Sequence, residues 1–468
     1  MIPQHVFREY DVRGLVATEL TEPFAETLGR AFGEYLLART FGAAQSLVLG
    51  RDHRNSSAGL ANAFSRGVRS CGLEVISIGV VPTPLTYYAA HVLPVDGLCM
   101  ITGSHNPPEY NGFKLGLGKA TLAGSEVQEL KARALALDAA TREGKGHPAR
   151  LKPGAESEFD ATTSYLAFVT QSLGQARRKL KVVVDAGNGT GGLVGPQLLR
   201  ALGHEVIELF CELDGSFPNH HPDPTVEENL RDLQAAVREH GADLGIAWDG
   251  DADRIGAVDE QGNILWGDQL MILFARDVLA QRPGATIVSE VKCSQTLYDD
   301  IEARGGKAVM WKAGHSLIKA KMKETRALLA GEMSGHIFFR HRYFGFDDGI
   351  YSSARLLELL ARETRPLSAL HSDVPRTYSS AELRRDFAEE KKFAAVERAR
   401  EKLRAHGRVI DIDGVRVVLR GGWGLIRASN TQPLLVLRYE AESAERLREI
   451  AALIEGTVEE VRRELGDA

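Results

Sequence analysis

Apolar and polar positions along this chain alternate in blocks. Short apolar runs give way to turn residues and then to stretches of helical periodicity. This order recurs three times. Each copy opens with an apolar strand, passes through a polar or Gly-rich turn into a helix, then reaches a Gly and a second strand. The first copy is SLVLG (46–50), a helix over 58–70 and CGLEVISIG (71–79). The second is KVVVDA (181–186), a helix over 193–202 and LGHEVIEL (202–209). The third is ATIVSE (285–290), a helix over 295–304 and GGKAVMW (305–311).

Another helix and another apolar strand follow in each copy. Those strands end in GLCMITGSHNP (97–107), LGIAWDGDADR (244–254) and ALLAGEMSGH (327–336). Strands alternating with helices predict parallel α/β sheets, which bind ligands beyond the carboxyl ends of their strands. Three unusual polar clusters stand at that matching place, so three facing domains can aim three loops at one cleft. The remainder, from about 375, breaks the pattern. It predicts a charged helix (386–406), two strands around DIDGVRVVL (411–419), a WGLIRASNTQP loop, a strand LLVLRYE (434–440) and a closing amphipathic helix (443–464). That is a small α+β domain rather than a fourth repeat. KGHPARLKPGAESE (145–158) and HSDVPRTYS (371–379) read as linkers, and EQGN (260–263) as a turn closing the second unit. The expected domains are therefore 1–150, 151–262, 263–374 and 375–468. The fold class is α/β: three related α/β domains with mixed, mostly parallel sheets, plus a C-terminal α+β domain, around a central cleft.

Length agrees with this division, because 468 residues make three or four domains at roughly 150 residues each. Charge narrows the partners. With 57 Lys+Arg against 63 Asp+Glu and no basic run, neither nucleic acid nor an anionic membrane is expected. An anionic ligand must then meet positive charge gathered locally, in a pocket. No stretch approaches the ~18 apolar residues of a membrane span, and MIPQHVFREYDVRG is no signal peptide. Cys71, Cys99, Cys211 and Cys293 are far apart, which fits buried thiols in a reducing cytoplasm.

DGDADR (249–254) carries the most specific signal. Asp249, Asp251 and Asp253 alternate on one short extended loop after a buried strand. Three like charges this close are costly unless a hard cation sits among them, and an all-oxygen set of few ligands suits Mg²⁺. An EF-hand is excluded: Arg254 stands where its loop needs Gly, and the flanks read as strands. A phosphatase that forms an aspartyl-phosphate on Asp251, with Asp253 as acid/base, stays open.

In TGSHNPPEYNGFK (102–114), Gly103 leaves room beside Ser104, while Pro107 and Pro108 stiffen the chain after His105 and Asn106. One hydroxyl is presented at a strand end. Lys114 can return to the same cleft as a proton donor or phosphate partner. GEMSGH (331–336) places Glu332, Ser334 and His336 on alternating positions, facing one way if extended. A carboxylate beside a hydroxyl suits paired sugar hydroxyls, and His336 can shuttle a proton. RASNTQP (427–433) gathers Arg427, Ser429, Asn430 and Thr431, which suits a phosphate cradle or a plain Asx/Ser turn. GNGTGG (187–192) matches a dinucleotide fingerprint but reads as a tight turn, since no nicotinamide partner site accompanies it.

The four loops together resemble the α-D-phosphohexomutase family, over the whole chain and in the family's order. GEMSGH is similar to the form in its phosphomannomutase/phosphoglucomutase branch. The resemblance implies a C-terminal domain of the helix-grip type and a phosphoryl group carried on Ser104. It implies one Mg²⁺ held by Asp249, Asp251, Asp253 and a phospho-Ser104 oxygen. It matches Glu332 and Ser334 to sugar hydroxyls, and Arg427, Ser429, Asn430 and Thr431 to the distal phosphate. Tyr10 and Arg13 of FREYDVRG reach the cleft by the same resemblance, and Lys292, His315 and Arg254 are further substrate contacts. The implied activity interconverts hexose 1-phosphate and hexose 6-phosphate, of mannose, glucose or both, through a 1,6-bisphosphate. Glucose 1,6-bisphosphate is the expected activator. The expected catalytic group is Ser104, His105, Lys114, His336, Arg13 and Arg254, in a cytoplasmic monomer or weak dimer. Three alternatives accompany this reading: a phosphoglucosamine mutase of the same family, the aspartyl-phosphate phosphatase and, ranked last, a catalytically silent sugar-phosphate binding protein.

Overall fold

The computed structural model describes residues 2–145, 152–429 and 432–467. The three repeats share one sheet topology. In the first, strands Ser46–Arg51, Glu74–Val80 and Gly97–Ile101 are parallel, with the earliest strand in the middle, and Tyr110–Leu117 runs antiparallel beside the third. The second repeat places Lys181–Asp185, Glu205–Leu209, Leu244–Trp248 and Ile255–Asp259 in the same order and senses. The third does so with Thr286–Glu290, Lys307–Trp311, Leu329–Gly331 and Ile337–Phe339. The strand centres are apolar because the sheets are covered on both faces. Their polar ends then fall together at one edge of each sheet.

Outside the repeated pattern, the N-terminal strand Val12–Leu15 pairs with Tyr110–Leu117, and the helix Glu22–Arg39 packs on Ser57–Arg69. The second of these segments carries no expected element. Gly29 and Gly33 break up its helical signal. Yet a Cβ on Gly29 would lie 2.2 Å from the Phe64 carbonyl oxygen, so glycine is what lets the two helices meet. Part of the expected 145–158 linker is also sheet: Glu156–Glu158 pairs with Glu74–Val80 at the far edge of the first sheet.

The fourth domain is a six-stranded antiparallel sheet with helices Lys392–Leu403 and Ala444–Leu465 packed against it. Two expectations are corrected here. The charged segment 386–406 is helical only over Lys392–Leu403, because Leu383–Asp386 is a strand paired with Leu434–Ala441. The expected loop from Trp423 is a strand, Gly422–Ala428, so Arg427 sits on a sheet.

One hydrophobic core runs through the first three domains, joining Val48 and Tyr88 to Val184 and Trp248 and on to Ile287 and Tyr351. The fourth domain has its own core, and among the described residues a small hydrophobic cluster of Val291, Trp423 and Leu425 bridges it to the third. Buried Arg416 reinforces that bridge. It stacks over the Trp423 ring at 3.7 Å and donates to the carbonyls of Val291 (2.6 Å) and Cys293 (2.9 Å). Three domains therefore form one packed body, and the fourth is attached through a narrow joint. Among the described residues, no helix is long and apolar enough to cross a membrane.

Candidate active site

The Ser104 loop leaves the first sheet where Gly97–Ile101 ends. Ser104 has a left-handed backbone (φ 51°), uncommon for a residue with a Cβ, and it is buried. Its hydroxyl donates to Asp249 Oδ2 at 3.0 Å and lies 3.2 Å from His105 Nδ1. Burial, with Arg254 and Arg13 nearby, pushes the His105 imidazole well below its usual pKa.

DGDADR forms a turn rather than the expected extended loop. The Ala252 amide donates to the Asp249 carbonyl (2.9 Å), and Ala252 is left-handed (φ 57°). The turn still converges the three carboxylates. Asp249, Asp251 and Asp253 are fully buried, with one oxygen from each lying within 4.8 Å of the other two. Lys114 Nζ reaches Asp251 Oδ2 (2.7 Å) and Asp253 Oδ2 (2.5 Å), and Thr83 donates to Asp251 Oδ2 (2.6 Å). The Oδ1 atoms of Asp251 and Asp253 are buried without a hydrogen-bond partner. Burial and the two neighbouring carboxylates push Asp249 well above the usual range. Burial works the same way on Asp251, but Lys114 and Thr83 outweigh it and hold that carboxyl ionised. Burial also opposes the charge on Lys114, and Asp251 and Asp253 more than offset it. Three carboxylates against one ammonium leave net negative charge and unpartnered oxygens in a buried site. An all-oxygen donor set of that kind fits a small hard cation.

The third domain supplies a turn from the GEMSGH segment, not the extended run expected. The Gly335 amide donates to the Glu332 carbonyl (3.0 Å), and Gly335 has φ 90°. Alternation therefore does not set the facing of Glu332, Ser334 and His336; a tight hairpin does. His336 Nε2 accepts from Arg254 Nε at 3.0 Å, while Nδ1 lies 3.2 Å from Asp347 Oδ2 and 3.4 Å from Asp253 Oδ1. Because the Arg254 nitrogen can only donate, the ring proton of neutral His336 is on Nδ1. The Arg254 amide donates to Asp249 Oδ1 (3.1 Å), tying this arginine to the carboxylate turn. His315 lies 5.7 Å from His336 and 5.7 Å from Tyr10 between ring centroids. Burial and Lys319 push its pKa well below the usual value. The Gly314 amide donates to Glu332 Oε1 at 2.6 Å, and Tyr10 donates to the Ala313 carbonyl at 3.2 Å. Ser334 is half-buried on the turn.

The remaining expected residues rim this cluster. Arg13 donates to Asp11 Oδ2 (2.6 Å) and to Asn106 Oδ1 (3.4 Å), beside the Ser104 loop. Lys292 pairs with Glu382 (3.0 Å) of the fourth domain and with Glu290 (3.5 Å). Burial lowers its pKa, but the two carboxylates win and raise it to about 12. Arg427 is held by Asp413, with Nη2 at 3.1 Å from Oδ2, and the same Asp413 oxygen accepts from the Ala313 amide at 3.0 Å. Ser429 accepts from the Gln432 amide at 3.2 Å. Asn430 and Thr431 lie outside the described residues. GNGTGG is indeed a tight turn: Thr190 donates through its amide (3.0 Å) and hydroxyl (3.2 Å) to the Gly250 carbonyl, bracing the carboxylate turn. Two surface cavities, of about 190 and 530 Å³, hold none of the expected site residues.

Asp347, Asp413, Glu290, Asp52 and Arg54 escape a reading of the sequence alone. Asp347 and Asp413 belong to no motif and act only through contacts distant in sequence. Glu290, Asp52 and Arg54 do carry a signal, since RDHR and SEVK stand at the same place in two repeats.

Comparison with known proteins agrees with this arrangement. The domains described as phosphoglucomutase/phosphomannomutase alpha/beta/alpha domains I, II and III match residues 4–140, 163–262 and 266–378, and the corresponding C-terminal domain matches 382–456. The chain is 46% identical to the phosphomannomutase/phosphoglucomutase of Pseudomonas aeruginosa over 98% of its length and 96% of that protein's. It is 43% identical to a phosphoglucomutase of Neisseria gonorrhoeae, over 98% of this chain and 97% of that one. The crystal structure of a phosphoglucomutase/phosphomannomutase family protein from Burkholderia thailandensis superposes with a TM-score of 0.90 at 41% identity, over 99% of this chain and 98% of that one. Four matched domains in order and near-complete coverage place this chain in the phosphoglucomutase/phosphomannomutase family.

Proposed function

We propose that this chain interconverts hexose 1-phosphates and hexose 6-phosphates, of both mannose and glucose, by carrying a phosphoryl group on Ser104. The observation that carries this reading is the Ser104 hydroxyl, buried and hydrogen-bonded to Asp249 at the edge of a three-carboxylate site. Relatives at 46% and 43% identity bear the dual and the glucose name, so the name alone does not choose between the sugars.

The phosphoryl group passes from Ser104 Oγ to the free hydroxyl of a hexose 1-phosphate. A serine P–O bond breaks and a sugar P–O bond forms; the sugar hydroxyl proton passes to His336 Nε2, and Ser104 Oγ takes a proton from Lys114. The resulting 1,6-bisphosphate turns over in the cleft and returns its other phosphate to Ser104. Such transfer rests on positioning and on neutralising charge. Asp249, Asp251 and Asp253, with an oxygen of phospho-Ser104, would hold Mg²⁺. Bound there, the ion supplies positive charge against the phosphoryl oxygens. Lys114, charged and pinned between Asp251 and Asp253, adds a second cation and is a proton donor to the leaving oxygen. His336 offers Nε2 as the basic atom once Arg254 turns from it to a phosphate. Arg13 and His105 flank the Ser104 loop. Tyr10, His315, Lys292, Glu332 and Ser334 orient the sugar, and Arg427 with Ser429, Asn430 and Thr431 receives the distal phosphate. Water exclusion protects the phosphoserine, and a fourth domain on a narrow joint is suited to close over the site.

The test is kcat/KM for mannose 1-phosphate, glucose 1-phosphate and glucosamine 1-phosphate, with Mg²⁺ and a trace of glucose 1,6-bisphosphate. The expected result is comparable turnover of the first two. Turnover of glucosamine 1-phosphate alone, or of none, contradicts the proposal.

A further inference from the structure

The first and third repeats share a device that no motif reveals. In the first sheet Arg51 is in register with Ile101, and in the third Ser289 is in register with Gly331. One residue beyond each of those first-strand positions, Arg51 and Ser289, stands an acid, Asp52 or Glu290. Two residues beyond each third strand, a loop amide donates to that acid: Gly103 to Asp52 Oδ2 (3.1 Å) and Met333 to Glu290 Oε1 (3.0 Å). Two residues after each acid stands its basic partner. Arg54 Nε lies 3.2 Å from Asp52, and Lys292 Nζ lies 3.5 Å from Glu290. Acid, loop amide and base thus occupy equivalent places in two domains.

The two bases are used differently. Lys292 extends across the domain joint to Glu382. Arg54 is buried beneath the Ser104 loop and donates to four of its carbonyls. Nη2 reaches Ser104 (2.8 Å) and Asn106 (2.5 Å), and Nη1 reaches Pro107 (2.6 Å) and Tyr110 (3.1 Å). The plane of the guanidinium lies where a side chain on Gly103 would be, 2.4 Å from a Cβ built there. Its other side meets the Phe217 ring of the second domain at 4.9 Å. A left-handed backbone at a non-glycine residue is strained and persists only where its surroundings over-determine it. Four convergent bonds from one planar fork, which is itself held by Asp52, meet that requirement at Ser104.

We infer that Arg54, held by Asp52, is a positioning residue for phosphoryl transfer: it sets the Ser104 loop so that the hydroxyl faces Asp249. This rests on the reading of Ser104 as the phosphoryl carrier. The partners of Arg54 are loop carbonyls, Asp52 and the Phe217 ring, so its loss displaces the nucleophile without removing a substrate contact.

The experiment compares the full-length wild type with Ser104→Ala, Arg54→Lys and Arg54→Ala, assayed with Mg²⁺, glucose 1,6-bisphosphate and glucose 1-phosphate. Folding is followed by circular dichroism. A lysine keeps the charge but not the planar fork. Arg54→Lys is expected to lose about 100-fold in kcat with KM changed less than about threefold, the scale set by displacing a reacting group by an ångström. Guanidinium, far below denaturing concentration, is expected to raise the kcat of Arg54→Ala about tenfold, while equal NaCl does not, on the same positioning scale. Wild-type kcat in Arg54→Lys overturns the inference. So does a folded Arg54→Ala whose loss falls on KM or is not rescued. If Arg54→Ala does not fold, the kcat and KM of Arg54→Lys decide alone. Activity surviving in Ser104→Ala instead overturns the proposed function, which keeps the two failures distinct.

Discussion

The first and third domains carry the same strand order and the same acid, amide and base, yet they treat the loop after the third strand in opposite ways. The Ser104 loop is locked from beneath by Arg54, with glycine at position 103 because a guanidinium fills the space a side chain needs. The GEMSGH turn has Met333 at the equivalent position, and its base, Lys292, is turned outward to Glu382 of the fourth domain. A nucleophile that must meet phosphorus in line gains from a fixed backbone. On the proposed reading, a turn that orients the sugar in two orientations of one intermediate gains from groups that can exchange partners. On that reading one scaffold yields a fixed donor loop and an adjustable receptor loop, and the structural difference lies in where one basic side chain points.

The comparison can be broken first at the rigid side. Replacing Asp251 by Asn, or chelating divalent ions, is expected to reduce kcat about 1,000-fold, the scale of losing preorganised charge at a transition state. Mutase activity that resists both treatments would separate the carboxylate site from the chemistry. Next, Gly103→Ala is expected to cost about 100-fold in kcat by displacing Arg54, whereas Met333→Ala at the equivalent position costs less than about fivefold. Equal losses at the two positions would erase the distinction between the loops. Lys292→Ala is expected to act mainly on KM, raising it roughly 10- to 100-fold, because the proposed charged hydrogen bond to substrate is worth roughly 1.5–3 kcal/mol. A fall in kcat alone would place Lys292 with the rigid machinery instead.

The smallest expected effect concerns stability rather than catalysis. Burial pushes His204 down to about 4, and its Nδ1 accepts from the Leu180 amide. The folded state therefore favours the neutral ring. That contribution is complete above the ordinary histidine pKa near 6.5 and is lost as pH falls toward 4. His204→Asn, which offers Oδ1 in place of Nδ1, is expected to narrow the difference in urea midpoint between pH 7.5 and pH 5, to roughly the extent that this one group sets it. An unchanged difference would exclude His204 as its source.

The architecture was largely legible in the sequence. Strand runs such as 181–186 and 285–290 fall on the observed Lys181–Asp185 and Thr286–Glu290 because buried parallel strands must be apolar along their whole length. The chemistry-bearing loops were legible for a related reason, since polar clusters at the ends of such runs have little other cause. What sequence could not show was the shape of those loops. The DGDADR and GEMSGH turns close through left-handed Ala252 and Gly335, so their side chains converge by curvature rather than by alternation. Nor could it show partners chosen by tertiary contact. Arg54 and Ser104 are 50 residues apart, and Asp413 reaches the Ala313 amide from 100 residues away.

The most direct test of the central claim follows the phosphoryl group itself. The chain is loaded with glucose 1,6-bisphosphate carrying labelled phosphate, freed of small molecules and then mixed with unlabelled mannose 1-phosphate or glucose 1-phosphate. The account predicts label on Ser104, found by peptide mapping, that passes to hexose 6-phosphate in a single turnover and is absent from Ser104→Ala. Label on Asp251, or label on Ser104 that is released only as inorganic phosphate, would contradict it.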